Sequence, residues 1–187
     1  MKNIFTFPNI LTFCRILFTP IFIFLFLLGG QYLLWSIIVF TLAAISDFCD
    51  GYFARYLKIK SKFGSFFDPL ADKILIISTF FTFYFVGIIH LWVILIIVFR
   101  DLVVTFLRLY LVKREKPLQT SYLAKSKTVI QFIAIYICFI FLILNFYFDF
   151  KHLKVYLDYF MYFVALVTLW SGIDYLVKNK KAIKCLF

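Results

Sequence analysis

Residues 31–87 read QYLLWSIIVFTLAAISDFCDGYFARYLKIKSKFGSFFDPLADKILIISTFFTFYFVG, an apolar run, a charged middle and a second apolar run. Each apolar run approaches the roughly 20 residues that cross a bilayer as an α-helix. The middle holds four of the chain's nine acidic residues, namely Asp47, Asp50, Asp68 and Asp72. An ionisable group at membrane depth is expensive and is usually paired or functional. The stretch therefore predicts two membrane helices that meet at a charged site.

The rest of the chain repeats this apolar pattern. Its 187 residues are 65% hydrophobic and include 28 Phe, whereas a soluble domain is about 45–50% apolar. A water-soluble protein of unusually apolar composition is disfavoured, because several apolar runs long enough to cross a membrane occur in one short chain. We predict an all-α integral membrane protein, one domain over residues 1–187, with six transmembrane helices. The predicted segments are 9–29, 31–53, 67–87, 89–112, 127–148 and 156–177.

The charge distribution predicts an orientation for these helices. The net charge is +11, and most Lys and Arg residues lie around 55–62, around 113–127 and after 178. The opposite set of links carries only Lys151 and Lys154. By the positive-inside rule, both termini and the basic loops lie in the cytoplasm. Topology and anionic lipid explain the positive charge better than nucleic acid, so we expect a multi-pass protein of the inner (cytoplasmic) membrane.

The first segment has a polar face at its start. Asn9, Thr12 and Arg15 are three residues apart, so they share one side of a helix. An amphipathic stretch at the cytoplasmic interface fits this spacing, and ordinary interface anchoring is the simpler alternative. No cleavable signal peptide is convincing. The four cysteines are scattered and suggest neither a disulfide framework nor a metal site.

The acidic cluster predicts a metal site. On helices, Asp47 and Asp50 differ in direction by about 60°, and Asp68 and Asp72 by about 40°. Four carboxylates repel one another unless protons or a cation neutralise them. Oxygen ligands of this kind suit Mg²⁺ or Mn²⁺, as one or two ions. Since Arg55 is a natural partner for phosphate oxygens, the set predicts phosphoryl or phosphatidyl transfer.

The same residues carry a resemblance to a known family. Asp47-Phe-Cys-Asp50-Gly51-Tyr-Phe-Ala54-Arg55, eight residues, then Gly64-Ser-Phe-Phe-Asp68-Pro-Leu-Ala-Asp72 resembles the CDP-alcohol phosphatidyltransferase signature at every fixed position. Four other segments look like the bacterial phosphatidylglycerophosphate synthases of that family. They are Pro8 to Arg15, Arg100-Asp101 with Arg108, Lys125 to Thr128, and Leu169 to Ser171. Ala124 departs from the pattern, because many members have Gly there.

The resemblance implies roles for individual residues. It implies six transmembrane helices, a homodimer, and CDP-diacylglycerol in a cavity open to membrane lipids. Asp47, Asp50 and Asp68 would bind the metal, with Asp72 as a further ligand or as the general base that takes the acceptor's proton. The residues assigned to CDP-diacylglycerol are Gly51, Ala54 and Gly64 at the cytidine and ribose, Arg55 at the diphosphate, and Asn9 and Thr12.

The acceptor is predicted from basic residues. Arg100, Arg108, Lys125 and Lys127, together with Arg15, suit an anionic acceptor such as glycerol 3-phosphate. Positive-inside anchoring is the simpler explanation for each, and Arg100 fits it least because an apolar run surrounds it. Asp101 is expected to pair with one of these basic groups or to hold Arg100 in place.

The expected reaction converts CDP-diacylglycerol and glycerol 3-phosphate into phosphatidylglycerophosphate and CMP. One alternative keeps the family but changes the acceptor to inositol phosphate, serine or another lipid alcohol. Another is a cation channel or transporter that uses the aspartates as an ion pathway. It predicts acids distributed through the membrane, whereas these four map to one end. A structural scaffold leaves the clustered carboxylates unexplained.

Overall fold

The computed structural model describes residues 7–56, 64–113, 122–148 and 152–180, and side chains within 13–46, 73–107, 110–111, 127–148 and 152–180. Over these ranges the chain forms six α-helices and no strand, which confirms the predicted all-α class. The helices are α1 (Phe7–Leu28), α2 (Tyr32–Tyr56), α3 (Gly64–Phe85), α4 (Leu91–Lys113), α5 (Tyr122–Phe148) and α6 (Leu153–Lys178).

The helices follow the predicted segments closely. The largest difference is at α5, which begins at Tyr122 although its apolar run begins near residue 127. Hydropathy identifies only the apolar part of a helix. The backbone hydrogen bonds of α5 begin earlier, in the polar turn that precedes its apolar run. The predicted interfacial stretch likewise lies on α1, which is one continuous helix from Phe7.

Glycines terminate two of the helices. Gly29 and Gly30 have φ of +64° and +54° between α1 and α2, and Gly87 has φ of +76° between α3 and α4. This left-handed backbone is readily accessible only to glycine. The Tyr32 amide donates a hydrogen bond of 3.0 Å to the Gly29 carbonyl and closes the first turn. The breaks predicted between segments 9–29 and 31–53, and between 67–87 and 89–112, fall at these glycines and are therefore confirmed.

The chain divides into two compact units, Met1–Val86 and Gly87–Phe187, which are described separately. In the first unit, α1 packs against both α2 and α3. Its described core is aromatic: the ring of Phe22 lies 5.6 Å from that of Phe40 on α2, and the ring of Phe26 lies 5.5 Å from that of Phe83 on α3. Burial of these large rings contributes to the stability of this unit.

In the second unit, α6 packs against both α4 and α5. Trp92 on α4 lies 4.8 Å from the ring of Tyr162 on α6. Cys138 on α5 is buried with its sulfur 4.0 Å from that of Met161 on α6. Cys138 therefore fills apolar space between these two helices. The single-domain prediction for residues 1–187 is not tested by this grouping and stays a prediction.

Large apolar side chains are exposed on all six helices in the described part of the chain, including Phe24, Phe85, Phe106 and Trp170. Where side chains are described, two helical segments, Lys127–Phe148 and Leu153–Lys178, are long and apolar enough to cross a membrane. Three described stretches are apolar but shorter: Phe13–Leu28, Tyr32–Ser46 and Lys73–Phe85. The number of spans, predicted as six, stays a prediction.

Candidate functional site

The four aspartates lie on two consecutive helices of the first unit. Asp47 and Asp50 are in the last three turns of α2, and Asp68 and Asp72 are in the first three turns of α3. Both pairs therefore lie on helices, as their spacing predicted. The seven residues 57–63 separate the two helices, so the two pairs flank one short connection.

The chemistry of this donor set fits a divalent cation. All four groups are carboxylates, and hard oxygen ligands are those that Mg²⁺ and Mn²⁺ bind. The side chains of residues 47–72 lie outside the described set. Among the side chains that are described, no group of three or more His, Cys, Asp or Glu is placed to hold a metal ion. The metal assignment of the aspartates therefore stays a prediction.

The residues assigned to CDP-diacylglycerol lie at the same helix ends or on α1. Gly51, Ala54 and Arg55 occupy the last turns of α2, and Gly64 is the first residue of α3. Asn9 and Thr12 lie in the first two turns of α1. Their side chains are outside the described set, so these six roles stay predictions.

Arg15 on α1 is fully buried in the structure. The Thr19 hydroxyl donates a hydrogen bond of 3.0 Å to the Arg15 carbonyl oxygen. A buried guanidinium loses its hydration, which costs several kcal/mol unless other groups replace the water. This burial disfavours the simpler interpretation of Arg15 as a surface anchor, since an anchoring side chain reaches water or headgroups.

A buried polar cluster occupies the second unit, and we call Arg100, Asp101 and Lys127 the cationic cluster. The Asp101 carboxylate accepts a hydrogen bond of 3.1 Å from Arg100 and another from the Lys127 ammonium. Arg100 also donates a hydrogen bond of 2.6 Å to the Ser171 hydroxyl. The expectation that Asp101 pairs with a neighbouring basic group is confirmed, since both Arg100 and Lys127 donate to it.

Helix packing positions Arg100. Gly172 on α6 leaves room for the Arg100 stem, because a Cβ at position 172 would lie 2.9 Å from Arg100 Cγ. Ser171, the preceding residue, then meets the guanidinium. α6 thus supplies both the space and a hydrogen-bond acceptor for a side chain of α4, and it directs the guanidinium toward Asp101.

The electrostatics of the cationic cluster suit an anion. The cationic cluster contains two cations and one carboxylate, and each of the three side chains is less than a tenth exposed. Arg100 Nε is buried and has no hydrogen-bond partner in the described structure. An unused donor on a buried charged group is costly. A phosphate would accept from this donor through a charge-assisted hydrogen bond.

Two other predicted acceptor residues lie on the same helices. Arg108 is on α4, eight residues after Arg100, and Lys125 is on α5, two residues before Lys127. Their side chains are outside the described set, so the structure places them on these helices but does not assign them contacts. Their roles stay predictions.

Sequence reasoning missed three residues of this region. Ser171 was noted only for its resemblance to the family, and Gly172 and Gln131 were not noted. A contact between Arg100 and Ser171 joins residues 71 positions apart, which no local pattern predicts. Gln131 did have a signal, because it is a polar residue in an apolar run, four positions after Lys127 and on the same helix face.

Comparison with known proteins adds a second line of support. The family model described as CDP-alcohol phosphatidyltransferase matches residues 5–170. The chain belongs to the CDP-alcohol phosphatidyltransferase family. This confirms the resemblance found in the aspartate signature. Family membership and the two helices of spanning length together indicate a membrane protein.

Several curated relatives are similar over long stretches. A CDP-diacylglycerol–glycerol-3-phosphate 3-phosphatidyltransferase of Bacillus subtilis is 31% identical over 96% of this chain and 98% of its own. A protein of the same name from Cereibacter sphaeroides is 38% identical over 71% of this chain and 62% of its own. A probable phosphatidylglycerophosphate synthase of Mycobacterium tuberculosis is 37% identical over 68% of this chain and 62% of its own.

Proposed function

We propose that this chain transfers a phosphatidyl group from CDP-diacylglycerol to glycerol 3-phosphate and releases CMP. The product is phosphatidylglycerophosphate, a precursor in phospholipid biosynthesis. The family supports the reaction type, and the names of the relatives support both substrates. The observation that carries the acceptor is the cationic cluster, since its two buried cations and its unused Arg100 donor suit a phosphate. Family membership also favours an enzyme over a channel.

In this proposal the cationic cluster binds the phosphate of glycerol 3-phosphate. Arg100 presents a planar donor set to phosphate oxygens, and Lys127 supplies a second positive charge. Asp101 orients both cations by accepting from each. Arg108 and Lys125, on the same two helices, are proposed as further basic residues for the same anion. Arg15, on α1, keeps its predicted role as an acceptor residue. A neutral or zwitterionic acceptor such as serine would need fewer positive groups.

The helix ends at α2 and α3 are proposed to bind the donor. Arg55 pairs with the diphosphate, and Gly51, Ala54 and Gly64 leave space for the nucleoside. Asn9 and Thr12 contribute from α1. Asp47, Asp50, Asp68 and Asp72 would hold one or two Mg²⁺ or Mn²⁺ ions, which when bound neutralise negative charge on the diphosphate.

The residues of the chain then provide the proton transfer. A hydroxyl is a poor nucleophile until its proton leaves, and Asp72 is the candidate base that accepts that proton. The acceptor oxygen forms a bond to the phosphorus that carries diacylglycerol. The bond from that phosphorus to the CMP oxygen breaks, and CMP leaves.

We further propose six membrane spans, an active site facing the cytoplasm, and a homodimer. The basic residues near the α2–α3 and α4–α5 connections support this orientation by the positive-inside rule. The large apolar side chains exposed on the described helices support contact with lipid or a second copy.

The proposal is tested by CMP release from purified protein with CDP-diacylglycerol, magnesium and a panel of alcohols. We expect turnover with glycerol 3-phosphate and little with inositol phosphate or serine. Turnover with only another alcohol would show that the acceptor is wrongly assigned. Chelation of divalent ions should abolish release, and Asp72→Asn should reduce it strongly. Wild-type release by Asp72→Asn would remove that residue as the base.

The Lys127→Met variant tests whether Lys127 binds the acceptor phosphate or only anchors its helix at the membrane surface. Loss of one charge-assisted contact, worth about 1.5–3 kcal/mol, should lower kcat/KM for glycerol 3-phosphate about ten- to hundredfold. Lys178→Met is the matched control, because Lys178 is partly exposed and pairs with Asp174 at 2.9 Å on the same helix. We expect near-wild-type kinetics for that control. Equal effects of the two substitutions would argue against a phosphate site at Lys127.

A further inference from the structure

Gln131 on α5 is a buried amide that the proposed phosphate site does not use. Its side chain has no solvent exposure, and neither its amide nitrogen nor its amide oxygen has a hydrogen-bond partner in the described structure. Buried polar side chains in native proteins nearly always have partners. A complete amide that lacks any partner therefore indicates that something else binds there in the working protein.

The helix places this amide beside the cationic cluster. Gln131 follows Lys127 by four residues, so the two share a face of α5 and are separated by about 6 Å along its axis. Side chains on a helix lean toward its N-terminus and cover the preceding turn. The Gln131 amide therefore leans toward the turn that carries Lys127, whose ammonium donates to Asp101.

The chemistry of an amide matches that of a hydroxyl. Its NH₂ donates and its carbonyl oxygen accepts, so it can satisfy both roles of an alcohol group at once. The cationic cluster, by contrast, offers mainly donors and positive charge, which suit the phosphate. A small phosphorylated polyol has a phosphate next to a hydroxyl-bearing carbon, which is the order in which Lys127 and Gln131 are presented.

We propose that Gln131 is a specificity-determining residue that binds the free hydroxyl of the phosphorylated polyol acceptor. This inference rests on the proposed function, because it assumes that the cationic cluster binds the acceptor phosphate. For glycerol 3-phosphate, the group bound is the middle hydroxyl, which does not react. A site that hydrogen-bonds a substrate hydroxyl rejects an analogue without it, because its own polar groups are then left unpaired.

The test compares two acceptors in CMP release by the full-length protein with CDP-diacylglycerol and magnesium. Glycerol 3-phosphate has the middle hydroxyl, and propane-1,3-diol monophosphate lacks it but keeps the phosphate and a terminal hydroxyl. We expect wild-type kcat/KM to favour glycerol 3-phosphate by about a hundredfold or more. Comparable kcat/KM values for the two acceptors with the wild-type protein would overturn the proposal without any variant.

Gln131→Met removes the amide and nearly keeps its length. We expect its kcat/KM to fall at least about tenfold with glycerol 3-phosphate and little with the analogue, so that the preference collapses. Its unfolding temperature without acceptor should equal or exceed that of the wild type, since no amide is buried unpaired. An equal fall with both acceptors together with a lower unfolding temperature would indicate a purely structural role and overturn the proposal.

Asn145→Leu is the control on the same helix. Asn145 Oδ1 is also buried without a hydrogen-bond partner in the described structure, but it lies about 21 Å along α5 from Gln131. We expect wild-type acceptor preference in this variant. A matching loss of preference would show that the effect belongs to α5 in general. If the wild type releases no CMP with either phosphate, the proposed function fails, which is distinct from failure of the Gln131 assignment.

Discussion

Gly172 is the position at which α6 leaves room for the stem of Arg100. We expect Gly172→Ala to displace the Arg100 stem, because the added Cβ would lie 2.9 Å from Arg100 Cγ. Loss of one charged hydrogen bond is worth about 1.5–3 kcal/mol, so KM for glycerol 3-phosphate should rise about tenfold or more. Steady-state kinetics with each substrate varied in turn measure this, and KM for CDP-diacylglycerol should change little.

A pair of hydroxyl deletions on α6 provides the control for Gly172→Ala. Ser171→Ala removes the acceptor that Arg100 meets at 2.6 Å, and it should raise the same KM. The Thr168 hydroxyl is also buried but donates to the Val164 carbonyl at 2.8 Å, within its own helix. Thr168→Val should therefore leave the KM close to that of the wild type. Equal effects of the two deletions would contradict a specific role for Ser171.

Asp101 neutralises part of the charge of two buried cations. Asp101→Asn should destabilise the protein by about 3–5 kcal/mol, because removal of one partner leaves buried charge uncompensated. Asp158→Asn is the matched control, since Asp158 is partly exposed and lies 3.8 Å from His90. Exposed pairs contribute about 0–1 kcal/mol. Unfolding in detergent, followed by circular dichroism, measures both, and similar losses would contradict the buried network.

Among the helices, α1 holds the first unit together through phenylalanine rings. Phe22 is fully buried between α1 and α2, whereas Phe24, two residues later, is 65% exposed. We expect Phe22→Ala to cost about 3–5 kcal/mol of stability through lost contacts and the cavity that remains. Phe24→Ala should cost much less in detergent. Thermal unfolding measures the loss of stability in each variant. Equal losses would contradict the assignment of Phe22 to the core.

The ends of the helices were largely predictable from the chain. Gly29, Gly30 and Gly87 interrupt long apolar runs, and only glycine takes the left-handed backbone of these turns readily. The start of α5 was placed too late because Tyr122 and the residues that follow it form a polar first turn. The length of an apolar run reflects the thickness of the apolar environment that a helix crosses. The helix itself is defined by its backbone hydrogen bonds and can extend beyond that run.

For the whole molecule, the charge asymmetry predicts which ends of the helices face the cytoplasm. Single cysteines in a cysteine-free background test this with a membrane-impermeant maleimide on intact cells. Cysteines at His90 and His152, in the links that carry few basic residues, should react from outside. Cysteines at Lys58 and Lys180 should react only after the membrane is permeabilised. The reverse pattern would contradict the positive-inside assignment and the cytoplasmic active site.

The candidate site was predictable only in part. Its aspartate signature and its acceptor region differ in how far apart their residues lie in the sequence. The aspartate signature is local: Asp47 to Asp72 span 26 positions, so spacing and charge identify it. The acceptor region is not local, since Arg100, Lys127 and Ser171 come from three helices. Composition marked the basic residues as candidates but did not separate binding groups from membrane anchors.

The sequence alone determined the all-α class, the breaks between helices, the family and the acidic cluster, because each depends on composition or on short spacings. Tertiary structure decided that Asp101 joins two cations, that Gly172 admits the Arg100 stem, and that Gln131 is buried without a partner. These are properties of contact and desolvation between helices. Packing sets them, since the same residue has a different free energy in lipid, in water or against a neighbouring helix.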